Sequence, residues 1–465
     1  MRKEAIKKMQ EQAGQSFSYA LRAGDYREPW RIFRIMAEFV EGYQFLSALK
    51  NEITFLGSAR IKEGHEYYQI ARSLAGLLAK KNFTVITGGG PGIMEAANRG
   101  AHEAGGQSIG LNIQLPFEQI INPYVTRSTS FFYFFTRKVM LTSPACAFVY
   151  FPGGYGTMDE FFEVVDLMEL GLMNKCPVVL VGRKYWSPLI DFLVNRSCII
   201  GSVPGDHVQA WKVVDSAEEA FEQLKDVEDT GVAGQFDACT FNNEANVDWK
   251  IFRIMAELVE GFEFVTGIKN AVTVLGTKGT TSDSPYYQSA YRLGELLAKK
   301  NFAVITGGQK GTAEAANRGA FEHGGVSIGI GMQVGDKPRL NAYLTKSINF
   351  KFPFTRKLIV TTPTRAFVFY PGGFGTLHQL FEVLTLIQTK KMTMVPVILV
   401  NHNFWEPLHS YIKKMMVHEL KTIGNEDDEI YQIVDTEADV LRVIAEFEKE
   451  NGPVVFNRPD VAIKN

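Results

Sequence analysis

The sequence predicts an α/β protein built as two tandem units, each a mostly parallel sheet flanked by helices. Three observations lead there. Short runs rich in β-branched and aromatic residues alternate with stretches whose apolar residues recur at helical spacing. Those short runs are apolar nearly throughout instead of alternating with polar residues, which marks strands buried on both faces. The whole pattern also occurs twice. WRIFRIMAEFVEGYQFLSALK begins at Trp30 and WKIFRIMAELVEGFEFVTGIK at Trp249, an offset of 219 residues. The same offset, without a gap, relates Gly88 to Gly307, Glu95 to Glu314, Pro152 to Pro371 and Trp186 to Trp405. A period this long means a duplicated globular domain, since solenoid repeats run at roughly 20–50 residues.

The elements follow in order. In the first unit ITFLG, FTVITGG, SIGLNI, AFVYFPGG and PVVLVG read as strands. YYQIARSLAGLLAKKN, GIMEAANRGAHEAGG and TMDEFFEVVDLMELGL read as the helices between them. The first domain spans 1–225, and its opening residues 1–25 have no counterpart before the second repeat. They read equally well as a docked amphipathic helix or as an arm. Residues 226–248 are polar and weakly periodic and read as the linker. The second domain spans 249–465.

Composition sets the outer bounds. In 465 residues, 46% hydrophobic and 22% charged is an ordinary globular mixture, which excludes a disordered, collagenous or disulfide-scaffold chain. With 49 Lys plus Arg against 51 Asp plus Glu, the net charge of −2 offers no broad field for nucleic acid or an anionic membrane. Cys146, Cys176, Cys198 and Cys239 show no CxxC or zinc spacing, and the first three lie in or near apolar runs that suit buried reduced thiols. The N-terminal MRKEAIKKMQEQAGQSF lacks the apolar stretch of a signal peptide, and no run has the length of a membrane span. A soluble, cytoplasmic protein is expected.

Two glycine turns carry candidate chemistry, each at the C-terminal end of a strand, where α/β sheets bind ligands. The first, TGGGPGIMEAANRGA, starts at Thr87. Its Gly88, Gly89, Gly90 and Gly92 let backbone N–H groups approach an anion at a helix N-terminus. It fits neither G-x-G-x-x-G nor the P-loop, and a plain tight turn is the competing reading. The second, YFPGGYGTMDE, offers Gly153, Gly154 and Gly156 with the Thr157 hydroxyl. Here Thr157-x-x-Glu160 is also a capping box, with Thr at N-cap and Glu at N3.

The second repeat bears on that choice. It has Gln379 where the first has Glu160, and Gln309 with Lys310 where the first has Gly90-Pro91. Gln preserves a cap but not carboxylate chemistry, so one active unit fused to a degenerate one is expected. SFFYFFTRKVML adds Arg137 and Lys138 behind an aromatic run, repeated as NFKFPFTRKLIV. Phe131, Phe132, Phe134 and Phe135 read mainly as packing residues, whereas Arg137 suits either a surface helix start or a phosphate or sugar contact. HExxH, G-x-S-x-G and any dense His/Cys/Asp cluster are missing from the sequence. His102 and His323, at equivalent helix ends, read as surface residues.

GSAR at 57–60, GGGPGIMEAANRGA, the Arg137-Lys138 pair and PGGYGTMDE together resemble the Lonely Guy family. That family includes cytokinin riboside 5′-monophosphate phosphoribohydrolases and nucleotide nucleosidases, many formerly labelled lysine decarboxylase-like. The resemblance covers most of 30–220 and, more loosely, 249–440. It implies a Rossmann-like fold, a usual dimer, no cofactor, and hydrolysis of a nucleoside 5′-monophosphate to free base and ribose 5-phosphate. By the same resemblance Arg137 and Glu160 are the catalytic pair; a cation beside a carboxylate lowers its pKa, so Arg137 is expected to anchor the nucleotide and hold Glu160 ionised. Gly153, Gly154, Gly156 and Thr157 hold phosphate, and Gly89, Gly90, Gly92, Glu95 and Lys138 line the substrate pocket. No residue context for a pyridoxal-phosphate lysine is recognisable. In the second repeat Arg356, Lys357, Gly372, Gly373, Gly375 and Thr376 remain, which leaves nucleotide binding without turnover open there. The repeated WxIFRIMAE helix and aromatic run suggest that the two units pair as an intrachain pseudo-dimer, with further homo-oligomerisation open. The competing function is a nucleotide sensor or carrier without turnover.

Overall fold

The computed structural model describes residues 27–115, 121–227, 247–333 and 340–452. The N-terminal extension and nearly all of the linker lie outside the described residues, as does Cys239. Each repeat forms a seven-stranded, wholly parallel sheet with helices on both faces. The first contains β1 (Glu52–Leu56), β2 (Thr84–Thr87), β3 (Ser108–Ile113), β4 (Arg127–Phe131), β5 (Ala145–Tyr150), β6 (Val178–Val181) and β7 (Lys212–Val214). Their order across the sheet is β4-β3-β2-β1-β5-β6-β7. The second repeats this with β8 (Ala271–Leu275), β9 (Ala303–Thr306), β10 (Ser327–Met332), β11 (Lys346–Phe350), β12 (Thr364–Phe369), β13 (Val397–Val400) and β14 (Tyr431–Val434).

The five strands expected from apolar runs are fully or almost fully buried. The two unexpected strands are edges: β4, RSTSF, is largely exposed, and β7 is only three residues long. Polar, short edge strands resist pairing with other chains and leave no apolar run to read. The strand order reverses at β1, which has β2 on one side and β5 on the other. Leu56 and Tyr150 are register partners there, so the loops after β1 and β5 emerge side by side. That switch point is where doubly wound sheets open a crevice.

The repeats pack face to face through equivalent surfaces. Phe135 stacks on its counterpart Phe354 at a centroid distance of 5.9 Å and an interplanar angle of 11°. Phe162 stacks on its counterpart Phe381 at 5.5 Å and 5°. Such self-pairing of equivalent residues is the signature of a two-fold contact. Helix Tyr155–Glu169 lies along helix Phe374–Gln388, and helix Arg27–Leu46 packs on Val247–Val265. Two apolar cores run continuously through both repeats, one containing Trp186 and Trp405, the other Phe39, Phe135 and Phe354.

The aromatic run therefore divides. Phe131 and Phe135 are buried in the shared core, while Phe132 and Phe134 are only partly covered. Cys146 is a buried thiol that donates to the Glu52 carbonyl at 3.1 Å, and Cys176 and Cys198 are partly covered thiols outside any disulfide. Among the described residues no helix is long and apolar enough to cross a membrane.

Candidate active site

The cleft is built on a rigid polar frame. Thr87 ends β2, accepts from the Gly89 N–H at 2.8 Å and donates to Asn98 Oδ1 at 2.7 Å. Asn98 in turn donates to Ser108 Oγ at 2.9 Å, and Asn122 Nδ2 donates to the Gly89 and Gly90 carbonyls at 3.0 Å each. Gly92 has φ +73° and lies against the Ser58 carbonyl, which leaves no room for a side chain. The loops after β1 and β2 are thereby held in contact.

Above β5, Gly153 and Gly154 run into helix Tyr155–Glu169, with Gly154 at N-cap and no side-chain cap. The capping-box reading fails here. The helix begins two residues before Thr157, so Thr157 sits inside its first turn and Glu160 is not bonded back to its own backbone. Glu160 Oε1 instead accepts from Arg137 Nη2 at 2.7 Å. The first-turn N–H groups of this helix have no intrahelical acceptors and face the cleft with the positive end of the helix dipole.

Arg137 is carried by helix Phe134–Thr142, whose start is fixed by Glu38 from the repeated IMAE segment. Glu38 accepts from the N–H groups of Phe132 at 2.8 Å and Tyr133 at 3.3 Å, and from Thr136 Oγ1 at 2.6 Å. Burial pushes the Glu38 carboxyl above its usual range, against these hydrogen bonds. Arg137 Nε is buried without a partner, and the guanidinium carbon lies 5.7 Å from the Phe134 ring centroid.

These groups enclose a cavity of about 310 Å³. Of the residues named from the two glycine turns and the Arg-Lys pair, Gly88, Gly90, Arg137, Lys138, Gly154, Gly156, Thr157 and Glu160 lie in its wall. Gly89, Gly92, Glu95 and Gly153 stand behind it. Gly89 and Gly92 shape the turn, Gly153 packs on Thr157, and Glu95 accepts from Tyr68 Oη at 3.0 Å. Lys138 Nζ is buried among carboxylates, at 3.0 Å from Asp159, 3.4 Å from Glu163 and 3.5 Å from Glu382 of the second repeat. Burial alone would lower its pKa, but those carboxylates hold it well above the ordinary lysine value. Its charge is matched inside the protein, which suits a brace between repeats and not a neutral nucleophilic amine.

Glu160 differs from expectation. Arg137 does stabilise its charged form, yet burial outweighs that cation, with Asp159 adding to the upward push, and the carboxyl titrates above its usual range. A carboxylate so poised can stabilise adjacent positive charge when ionised and accept a proton.

Sequence reasoning missed the second half of the wall. Arg60, Asn112 and Phe134 line the cavity from the first repeat, and Thr385, Gln388, Thr389 and Thr422 line it from the second. The second-repeat residues lie more than 200 positions away in the chain and carry no local motif. The available signal was the comparison of repeats, since Thr385 and Gln388 stand where the first repeat has Asp166 and Glu169.

The family described as "Possible lysine decarboxylase" matches residues 94–224 and again 313–444, more than half of the chain. The chain belongs to this family, the Lonely Guy family. Among curated Lonely Guy relatives, a cytokinin riboside 5′-monophosphate phosphoribohydrolase of Rhodococcoides fascians is 30% identical over 31% of this chain and 75% of its own length. The Arabidopsis thaliana cytokinin riboside 5′-monophosphate phosphoribohydrolase LOG4 is 27% identical over 43% of this chain and 89% of its own. Among solved structures, the molybdenum cofactor binding protein of Rippkaea orientalis matches at 20% identity and a TM-score of 0.31, covering 39% of this chain and 99% of that one.

Proposed function

We propose that this Lonely Guy protein hydrolyses the N-glycosidic bond of a nucleoside 5′-monophosphate, releasing free base and ribose 5-phosphate, in the cleft of its N-terminal repeat. The observation that carries the reading is the Arg137–Glu160 pair, turned into the cavity wall beside the glycine loop instead of capping its own helix. The names of the curated relatives supply the reaction class.

The chemistry is consistent with those side chains. The C1′–N bond breaks with its electron pair leaving on the base nitrogen, and C1′ acquires oxocarbenium character. Ionised Glu160 stabilises that charge and takes a proton from the water that adds to C1′, and that proton passes on to the departing nitrogen, so the water ends divided between the C1′ hydroxyl and the N–H of the base. Arg137 fixes the carboxylate and contributes to ribose or phosphate positioning. The 5′-phosphate rests on the N–H groups around Gly154 and Gly156, and this remote binding energy orients the sugar for reaction. In this reading the two repeats take the place of two subunits, because Thr385, Gln388, Thr389 and Thr422 complete the wall.

Incubating the purified chain with a panel of nucleosides and their 5′-monophosphates, followed by chromatography, tests the proposal. Free base is expected from one or more monophosphates and not from the matching unphosphorylated nucleosides. Monophosphates that bind yet remain intact would replace hydrolysis with a sensor or carrier role.

A further inference from the structure

The C-terminal repeat retains the parts of an anion cradle. Gly372 and Gly373 lead into helix Phe374–Gln388, and the turn after β9 keeps Gly308 and Gly311 at positive φ. Lys278 and Lys310 are exposed on loops equivalent to those that border the N-terminal cavity. Arg356 donates from Nε to the Ile330 carbonyl at 2.8 Å, with no carboxylate in ion-pair contact among the described residues. On sequence this cleft looks like a second phosphate site.

The opposing wall argues otherwise. At the N-terminal cradle the group facing Gly156 is Thr385, whose Cγ2 would lie 3.9 Å from a methyl built on that glycine. At the C-terminal cradle the equivalent Gly375 faces Asp166, whose Oδ1 would lie 3.0 Å from such a methyl, with Oδ2 at 3.5 Å. Asp166 is therefore a carboxylate laid against the first turn of helix Phe374–Gln388, where phosphate oxygens would rest. His378 approaches it at 3.9 Å, and Lys357, His378 and Lys278 hold it below the usual carboxylate range against the burial that would raise it. The rest of the wall follows suit: Gln388 corresponds to Glu169, Thr389 to Leu170 and Thr422 to Val203. Neutral hydrogen-bonding groups in one cleft are acidic or apolar groups in the other.

We propose that Asp166, reaching across from the N-terminal repeat, occupies and closes the C-terminal cradle to phosphate, so that the chain takes one sugar phosphate and not two. The carboxylate serves as an internal anion for Lys278, Lys357 and Arg356. A phosphate would have to displace it or accept a like charge at contact distance, which costs at least about tenfold in affinity. The one-site count rests on the phosphate reading of the N-terminal loop; the role of Asp166 is tested separately from it.

Calorimetric titration of the full-length chain with ribose 5-phosphate, which undergoes no turnover, reads both. Wild type is expected to bind one equivalent. Asp166→Asn and Asp166→Thr, each checked for a cooperative thermal transition, are expected to bind a second equivalent at least about tenfold more tightly than wild type does. Thr385→Asp is expected to weaken the first by a similar factor. Should wild type bind none and Asp166→Asn bind one, the N-terminal phosphate reading fails while the role of Asp166 stands. Two equivalents in wild type, or unchanged binding in both folded Asp166 variants, would overturn the proposal.

Discussion

The two repeats share a frame and differ at its mouth. Thr306, Asn317, Ser327 and Asn341 reproduce the hydrogen bonds of Thr87, Asn98, Ser108 and Asn122, and Glu257 holds its helix start through Lys351, Phe352 and Thr355 as Glu38 does. Yet Glu160 corresponds to Gln379, Asp159 to His378, Asn112 to Gly331 and Phe134 to Pro353. Folding constrains the buried network, because any member left unsatisfied is costly. Nothing comparable constrains the groups that would meet a substrate. On the proposed reading, one repeat is retained for chemistry and the other as a wall.

The contrast can be strained first at the paired lysines. Lys138→Met would strand Asp159 and Glu163 in the interior and is expected to cost about 3–5 kcal/mol in urea unfolding. Lys357→Met should cost well under half of that, because its nearest partner is His378 Nδ1 at 2.6 Å and, among the described residues, no carboxylate is in ion-pair contact with it. Equal losses would mean that the two interiors are electrostatically alike. Next, Arg137→Ala is expected to lower kcat/KM by about 10²–10³, the scale of losing one fixed electrostatic group. Arg356→Ala should leave kcat/KM within about threefold by the same scale, because among the described residues Arg356 makes no ion-pair contact with a carboxylate and donates instead to the Ile330 carbonyl.

Glu160 supplies a pH test. Burial raises its pKa, and in the proposed reaction its working form is ionised, so activity should be lost as pH falls through that raised value. The acid limb should lie above the usual carboxylate range and move further up in residual Arg137→Ala activity, as the opposing cation is removed. The smallest effect is expected at Gln379→Ala, with kcat/KM within about twofold of wild type.

The sequence made the duplicated α/β architecture legible because apolar runs buried on both faces leave a strong signal, as AFVYF and PVVLV do. RSTSF did not, since an exposed edge strand has no apolar demand. The glycine turns were legible as turns, but not in their division of labour. Gly89 and Gly92 are required by backbone geometry, while Gly90, Gly154 and Gly156 face the cavity. Thr157-x-x-Glu160 satisfies a capping pattern and still does not cap, because Gly154 lets the helix start earlier. Thr385 and Asp166 were invisible as site residues because each acts on the other repeat, and no local pattern encodes a surface completed by packing. Glu38 could have been singled out, since the IMAE segment recurs unchanged in both repeats.

The most direct measurement compares base release from nucleoside 5′-monophosphates by wild type and Glu160→Gln, with folding confirmed by thermal unfolding. The Gln side chain keeps the size of Glu160 and copies the C-terminal repeat, so only ionisation is removed. Equimolar free base and ribose 5-phosphate from wild type, with a loss of about 10³-fold or more in the variant, is the predicted result. Turnover by Glu160→Gln at the wild-type rate would contradict the account and move the chemistry elsewhere in the molecule.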